Sequence, residues 1–340
     1  MKTKILEINS KRIDLAKIKL AAEEIKKGNL VAFPTETVYG LGADALNEKA
    51  VAKIFQAKER PFNDPLIAHI ADIKELYRLS QQVPPVAIKL AKVFWPGPLT
   101  LVLKKSKLVS GIVTAGLDTV AVRMPEDNIA LSLIREAETP IAAPSANLFG
   151  RTSPTTAQHV TDDLDGKIEI IINGGKTKVG VESTVLDVTV EPVRVLRAGG
   201  ISVEKLKEVV GQVKISKELK EGFRSPGMLN SHYSPQAKLI LVENKEETKI
   251  EEVRRLASKY MTQGFKVGIM AKEENQNKYG RFEVKIIGKG TELEVCATNL
   301  FTILRSFDKE GFEIIIAEGL KEHGLGLAIM ERLRKAAAPK

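Results

Sequence analysis

Cysteine is almost absent from this chain, which has one cysteine, Cys296, among 340 residues. A single cysteine cannot form a disulfide within the chain, and it excludes zinc sites built from several thiolates. The four histidines are scattered without the short spacings of metal-ligand motifs, so we expect no dedicated metal site. This cysteine usage suits a reducing compartment, and we predict a cytoplasmic protein.

Long apolar runs are also missing. The first residues, MKTKILEINSKRIDLA, lack the apolar core of a secretory signal, and no later run approaches the ~18 apolar residues of a membrane span. We therefore expect no membrane partner. The balance of 52 Lys and Arg against 43 Asp and Glu gives a formal charge of +9. This excess favours anionic partners such as nucleotides or RNA without choosing between them.

Short apolar runs alternate with segments of helical period along the chain, which predicts an α/β protein. The length predicts two domains. The periodic pattern stops at 213–237, where proline, glycine and small polar residues replace it. We predict a first domain at 1–212, a linker at 213–237 and a smaller three-layer α/β domain at 238–340 with a doubly wound sheet.

Three glycine-rich segments imitate nucleotide-binding motifs. GLGADA at 40–45 matches G-x-G-x-x-A, but six residues separate it from the strand predicted at 29–33. We predict a glycine turn leading into a helix capped by Asn47, and a dinucleotide-dependent oxidoreductase remains an alternative. NGGKT at 173–177 lacks the first glycine of a phosphate-binding loop, and GLGLAI at 324–329 is better explained as a turn before a helix.

Polar residues that could bind a ligand cluster in a few loops. PTETVYGLG follows the strand predicted at 29–33, and loops after strands are where open α/β sheets place ligands. Lys58 and Arg60 lie where the helix predicted at 48–58 is stopped by Pro61. They either complement the C-terminus of that helix or, with Asn63, clamp a phosphate chain.

Further candidates lie in or at the ends of predicted strands. Arg123 and Arg197 could pair with a substrate carboxylate, or could form ordinary surface ion pairs. Ser145 lies in TPIAAPSANLFG without the glycines of a G-x-S-x-G elbow, since Ala143 and Asn147 occupy those positions. A serine nucleophile is therefore disfavoured, which leaves a cap, a turn or a ligand contact.

An ordered set of motifs resembles the YrdC family. The set comprises FPTETVYGLG, K-x-R at Lys58 and Arg60, RMP, S-x-N at Ser145 and Asn147, and VESTVLD. SPGMLNSHYSP in the linker and GLGLAIMERLRKAA near the end resemble the long, two-domain form of the family. This resemblance implies a YrdC-like catalytic domain with a twisted open sheet and a smaller Rossmann-like domain.

The family makes L-threonylcarbamoyl-AMP from L-threonine, bicarbonate and ATP and releases pyrophosphate. This is the first step toward N6-threonylcarbamoyladenosine in ANN-decoding tRNAs. The resemblance thus implies ATP as a substrate with Mg²⁺ carried on it, and a downstream threonylcarbamoyl transferase complex and tRNA or another RNA as partners. An RNA-binding translation factor is the alternative that the basic charge favours.

The resemblance also assigns residues to roles. Lys58, Arg60, Ser145 and Asn147 are the catalytic candidates. The positions that match the family's ATP site are Lys58, Arg60, Asn63, Ser145, Asn147, Ser153, Arg197, His232 and Tyr233. Those that match its threonine site are Thr35, His69, Thr119, Arg123, Ala143 through its backbone, and Ser183. His232 and Tyr233 would belong to a lid that excludes water.

Overall fold

The computed structural model describes residues 2–216 and 233–338, which form two compact units. The larger unit comprises 2–149, 153–178 and 182–216, and the smaller comprises 150–152, 179–181 and 233–338. Most of the predicted linker, including His232, lies outside the described residues. No helix in the described ranges is long and apolar enough to cross a membrane.

The larger unit is built on a mixed sheet of eleven strands in the described part of the chain. Their order is β1-β8-β2-β3-β7-β4-β6-β5-β9-β10-β11. The strands are β1 (Lys4–Glu7), β2 (Val31–Phe33), β3 (Gly40–Asp44), β4 (Ile67–His69), β5 (Leu99–Lys104), β6 (Thr119–Arg123), β7 (Ile141–Ala142), β8 (Ile170–Asn173), β9 (Thr184–Asp187), β10 (Arg194–Arg197) and β11 (Lys214–Ile215).

Eight helices accompany this sheet among the described residues. They are α1 (Leu15–Lys26), α2 (Glu48–Lys58), α3 (Lys74–Leu79), α4 (Pro85–Phe94), α5 (Gly111–Thr114), α6 (Asn128–Ala137), α7 (Ala157–Leu164) and α8 (Val203–Val210). The helix predicted at 48–58 is confirmed as α2. Its Asn47 cap accepts hydrogen bonds from the N–H groups of Lys49 and Ala50, and the helix ends at Glu59 in a left-handed conformation.

The turn predicted for GLGADA is wrong, because Gly40–Asp44 is strand β3. Gly42 pairs with Val31 of β2, and a Cβ on Gly42 would lie 2.7 Å from Ile141 Cγ2 and 2.8 Å from Phe33 Cε1. The glycine is needed for close packing within the sheet rather than for a turn. The dinucleotide hypothesis fails with it, since that motif requires a turn between a strand and a helix.

Strand register places several polar side chains on one face of the sheet. His69 lies opposite Arg123, and Arg123 lies opposite Thr100, so the three side chains form a row on that face. Ile141 is opposite His69 and belongs to the core packed under α1 and α6. Beyond that core the same face carries a small apolar cluster of Ile67, Val102, Ala121 and Val185.

The smaller unit has a four-stranded sheet that is entirely parallel, in the order β12-β15-β13-β14. Its elements are β12 (Lys238–Val242), α9 (Glu246–Thr262), β13 (Val267–Lys272), a 3-10 turn (Glu273–Lys278), β14 (Glu283–Gly288), α10 (Leu293–Lys309), β15 (Ile314–Glu318) and α11 (Gly326–Ala337).

Helices cover both faces of this second sheet. Val253 of α9 shares a core with Ile269 and Ile316, whereas Phe307 of α10 packs against Gly268, whose position faces the other way. The doubly wound, three-layer arrangement predicted for the second domain is therefore confirmed. GLGLAI is also confirmed as a helix entry, because α11 begins at Gly326.

Candidate active site

The row of side chains on the sheet face continues into the segment before β9. The hydroxyl groups of Thr100 and Ser183 are 2.7 Å apart. Arg197 Nη2 donates to the carbonyl oxygen of Ser183 at 2.9 Å and to its hydroxyl at 3.1 Å. Arg123 and His69 lie beside Thr100 in the same row. The structure thus brings together His69, Arg123 and Ser183 of the predicted threonine site and Arg197 of the predicted ATP site.

Arg123 forms a buried ion pair with Glu36. Nη2 of Arg123 lies 2.7 Å from Oε2 of Glu36, and their side chains are only 4% and 3% exposed. Nε of Arg123 also donates to the carbonyl oxygen of Gly97 at 3.4 Å. The sequence-based prediction included Glu36 among the polar residues of the PTETVYGLG ligand loop but assigned it to neither the threonine site nor the ATP site. No local signal pairs it with an arginine 87 positions away.

The loop that carries Glu36 is fixed by its own hydrogen bonds. The Thr35 hydroxyl donates to the carbonyl oxygen of Val38 at 2.6 Å and lies 2.8 Å from the Thr37 hydroxyl. The N–H of Lys178 donates to the carbonyl oxygen of Glu36 at 3.1 Å. The predicted threonine-site residue Thr35 is therefore buried and sets the shape of the loop.

His69 is buried against the row of polar side chains. Its ring meets Phe33 edge to face at 6.2 Å, and Nδ1 lies 3.2 Å from the carbonyl oxygen of Ile67. Burial, and secondarily the charge of Arg123, lower the pKa of His69 to about 3. His69 is therefore neutral at physiological pH, and it can offer a hydrogen bond but no charge.

A second cluster joins the end of α2 to the 145–147 segment. Nζ of Lys58 donates to the carbonyl oxygens of Ser145, at 2.5 Å, and Asn147. Burial, and secondarily the charge of Arg60, hold the pKa of Lys58 well below its usual range. The 145–147 segment is held from the other side by β3, because Ser145 forms an isolated bridge with Gly40.

Arg60 is anchored by the loop that follows α2. Its Nη2 forms an ion pair with Asp64 at 2.8 Å and donates to the carbonyl oxygen of Pro65 at 3.0 Å. Its guanidinium lies 6.0 Å from the centre of the Phe149 ring. These contacts place the guanidinium beside Asp64, Pro65 and the Phe149 ring, and both predicted roles of Arg60, at the end of α2 and at a phosphate chain, stay predictions.

The remaining predicted residues have diverse surroundings. Ser153 is fully buried and donates to Oε1 of Glu182, whereas Asn63 is exposed. Thr119 is half-buried on the face that also carries Ala121 and Arg123. The N–H of Ala143 donates to the carbonyl oxygen of Ile67 at 2.9 Å.

Tyr233 is described within the smaller unit. It is buried, its ring stacks on Phe301 at 5.7 Å, and the Arg332 guanidinium lies 5.0 Å from the ring centre. Its backbone has a left-handed φ of 64°. The lid role of His232 and Tyr233 stays a prediction. In the described ranges, no group of three or more His, Cys, Asp or Glu residues could hold a metal ion.

Two family models match the chain. One, described as "Telomere recombination" and named for Sua5, YciO and YrdC, covers residues 23–199. The other, described as "Threonylcarbamoyl-AMP synthase, C-terminal domain", covers residues 201–338. Together they span both units and match the two-domain form that the motifs resemble.

Relatives of known name match nearly the full length. The threonylcarbamoyl-AMP synthase of Pyrococcus abyssi is 49% identical over 96% of this chain and 95% of its own. The Bacillus subtilis protein of that name is 48% identical over 93% and 92%. The crystal structure of P. abyssi Sua5 complexed with L-threonine aligns with a TM-score of 0.93 at 48% identity, covering 98% of both chains. The chain therefore belongs to the Sua5/YciO/YrdC family, in its two-domain form.

Proposed function

We propose that this chain synthesises L-threonylcarbamoyl-AMP from L-threonine, bicarbonate and ATP, with release of pyrophosphate. The product serves the first step of N6-threonylcarbamoyladenosine formation in ANN-decoding tRNAs. The observation that carries the proposal is the near full-length identity of 48–49% to two proteins named threonylcarbamoyl-AMP synthase. A relative of 48% identity whose crystal structure is a complex with L-threonine supports the amino-acid substrate.

The reaction needs little acid–base chemistry from the protein. Bicarbonate gives CO2 and hydroxide, and the threonine ammonium group releases a proton to solvent to become the free amine. When that amine adds to CO2 it loses a second proton, which the hydroxide takes up as water, and the resulting carbamate is already a nucleophile. One of its oxygens attacks the α-phosphorus of ATP, and the bond from that phosphorus to the bridging oxygen breaks as pyrophosphate leaves. The protein then has to hold the two substrates in line and neutralise their charge.

The candidate site offers groups suited to those two tasks. Arg123 and Arg197 supply buried cationic forks near one another in the row on the sheet face. Lys58 donates to two carbonyl oxygens, and an ammonium group has three N–H donors. We assign the third donor, with Arg60 and the Ser145 hydroxyl, to the phosphates, and Mg²⁺ would arrive bound to ATP.

Incorporation of radiolabelled bicarbonate tests this function directly. The purified chain is incubated with ATP, Mg²⁺ and each amino acid in turn, and the labelled adenylate and the pyrophosphate are measured. We expect label in the adenylate with L-threonine and a one-to-one yield of pyrophosphate. Pyrophosphate release that does not require both L-threonine and bicarbonate would contradict the proposal.

An RNA-binding translation factor is the second candidate, motivated by the net charge of +9. Electrostatic binding to RNA should weaken steeply as salt is raised. If Lys58→Ala abolishes adenylate formation and leaves RNA affinity unchanged, RNA binding is separate from the enzymatic site. The proposal also implies a cytoplasmic location and a downstream transferase complex that consumes the adenylate.

A further inference from the structure

Glu36 and Arg123 are two opposite charges in contact inside the protein. Removing charges from water is costly, and buried charges in native proteins are normally paired and also hydrogen-bonded. This pair has a charge contact of 2.7 Å, and Nε of Arg123 donates to the carbonyl oxygen of Gly97 at 3.4 Å, but the contacting groups themselves lack further hydrogen bonds. Within the described ranges, neither carboxylate oxygen of Glu36 has a hydrogen-bond partner, and neither does Nη2 of Arg123.

The unused hydrogen-bond acceptors of Glu36 and the unused donor of Arg123 determine which ligand would satisfy both residues. A carboxylate only accepts hydrogen bonds, and a guanidinium only donates them. A ligand that satisfies both must present a cationic donor and an anionic acceptor side by side. A free α-amino acid has this combination, because its ammonium and carboxylate groups are attached to the same carbon.

Ligands with one charge fit the pair less well. A carboxylic acid without an amine would satisfy Arg123 but bring a second carboxylate close to Glu36. An amine without a carboxylate would satisfy Glu36 but bring a second cation close to Arg123. Like charges in contact repel each other and weaken binding, so the pair should bind a zwitterion more tightly than a ligand with a single charge.

The other acidic group near this pair already has partners. Asp127 caps α6, and its carboxylate accepts hydrogen bonds from the N–H groups of Ile129 and Ala130 at 2.9 and 3.0 Å. Burial, and to a smaller extent Glu36, raise the pKa of Asp127. Glu36 is thus the carboxylate of the two that is left to accept from a ligand.

We infer that Glu36 binds the α-ammonium group of the amino-acid substrate while Arg123 binds its carboxylate, so that the pair recognises the substrate as a zwitterion. This inference rests on the proposed function and adds a residue that holds the substrate nitrogen in its ammonium form, before that nitrogen releases a proton and adds to CO2 as the amine. The hydrogen bonds of Thr35 and Lys178 hold the loop in which Glu36 lies, so its position does not depend on the ligand.

Glu36→Gln tests the inference, because it removes the charge and keeps the size of the side chain. Binding is measured by titration calorimetry with L-threonine and with 2,3-dihydroxybutanoate, in which a hydroxyl replaces the ammonium group. We expect L-threonine to bind about 10- to 100-fold more weakly, since hydrogen bonds to charged groups are the strong ones. The analogue should bind equally or more tightly, because the repelling carboxylate has gone.

Glu169→Gln is the matched control. Glu169 is also a glutamate of the larger unit, and its Oε2 accepts from the N–H of Leu30, which lies at the opposite end of β2 from Glu36. This variant should bind both ligands as the unaltered protein does.

Two results would overturn the inference. Unchanged L-threonine binding in Glu36→Gln would show that Glu36 is not a substrate ligand, and an equal loss of both ligands would show that it only orients Arg123. If Glu36→Gln fails to fold, Glu36→Asp keeps the charge and should retain a preference for L-threonine over the analogue. Loss of that preference would also overturn the inference.

The failure of the proposed function would look different. If the unaltered protein incorporates no labelled bicarbonate with any amino acid, the function itself is wrong. If the unaltered protein is active and Glu36→Gln binds L-threonine normally, only the role of Glu36 is wrong.

Discussion

Each unit buries a glutamate beside polar partners, and the two glutamates differ in how they are satisfied. Glu318, at the end of β15, accepts hydrogen bonds from the Tyr279 hydroxyl, from Nδ2 of Asn275 at 3.0 Å and from the N–H of Lys272 at 3.2 Å. The carboxylate of Glu36 has a charge contact with Arg123 and accepts no hydrogen bond among the described residues. A satisfied carboxylate stabilises its own fold, whereas an unsatisfied one is available to a ligand.

The position of a glutamate in a sheet does not by itself decide whether its carboxylate is satisfied. Glu318 lies at the carboxyl edge of a parallel sheet, the edge at which doubly wound folds usually bind ligands. Yet the lysines nearby are also paired: Nζ of Lys249 and of Lys272 each donate to Glu246 at 2.8 Å. The larger unit has its unsatisfied groups on the face of a mixed sheet, where topology alone does not point to them.

Of the substitutions at the two glutamates and their partners, Arg123→Gln should have the largest effect on stability and on L-threonine binding. It leaves Glu36 as a buried charge without its counter-ion, and removing one partner of a buried pair costs about 3–5 kcal/mol. We expect the free energy of unfolding of the larger unit, measured in urea, to fall by that order. L-threonine binding measured by calorimetry should be lost.

The double variant Glu36→Gln with Arg123→Gln controls for the buried charge that Arg123→Gln leaves without a counter-ion. Two neutral amides in place of a buried ion pair should restore most of the stability, to within about 1 kcal/mol, while L-threonine binding remains absent. A double variant as unstable as Arg123→Gln would mean that packing, rather than the unpaired charge, causes the loss.

Acidification should affect the two units differently. The folded state holds the pKa of His69 at about 3, through burial and then through Arg123, against an ordinary value of 6.5. Between these values the unfolded chain binds a proton that the folded chain does not. Stability is therefore fully present above pH 6.5 and falls by about 1.4 kcal/mol per pH unit below it, or about 2 kcal/mol at pH 5.

In the smaller unit, the hydrogen-bonded network around Glu246 should not respond to the same change of pH. Burial raises the pKa of Glu246, but the hydrogen bonds from Lys249 and Lys272 outweigh it and lower the pKa to about 2. A depressed carboxylate contributes its full stability above its unfolded value of 4.5, so this network should not change between pH 7 and pH 5. Urea unfolding at both pH values checks the contrast, and His69→Asn should remove most of the loss. Equal losses in the variant and the unaltered protein would contradict it.

The sequence predicted the elements that have strong local signals. Asn47 and the stop at Pro61 were sufficient for α2, and the alternating runs of the second domain were sufficient for its doubly wound sheet. The helices α1 and α6 are absent from the prediction, although Asp14 and Asp127 cap them and give a readable signal. The prediction of a turn at GLGADA was wrong because close packing within a sheet and a tight turn both require glycine.

The site was harder to predict than the fold. Motifs supplied most of the candidate residues, but the grouping of His69, Arg123 and Thr100 depends on strand register, which single residues do not encode. The pairing of Glu36 with Arg123 joins a loop after β2 to the end of β6. Such a contact follows from the topology of the sheet and has no signature in the sequence around either residue.

Ser145→Ala should have an intermediate effect, on activity rather than on stability. The Ser145 hydroxyl has no hydrogen bond among the described residues, and Ser145 is half-buried whereas Glu36 is buried. Removing a donor to phosphate should lower kcat/KM about 10- to 100-fold, corresponding to about 1.5–3 kcal/mol. Ser110→Ala removes a surface serine that caps α5 and should leave kcat/KM unchanged. Complete loss of turnover with ATP affinity intact would instead make Ser145 the nucleophile.

Tyr279→Phe should have the smallest effect, and it tests Glu318, the glutamate whose carboxylate has hydrogen-bond partners. It removes one hydrogen bond to Glu318 and leaves those from Asn275 and Lys272, so the cost should be about 1 kcal/mol in the free energy of unfolding of the smaller unit. The KM values for L-threonine and ATP should not change, because this network is closed on itself. A KM shift larger than the stability change accounts for would show that a ligand also uses Glu318. The presence of hydrogen-bond partners on a buried carboxylate would then not distinguish a structural glutamate from a ligand-binding one.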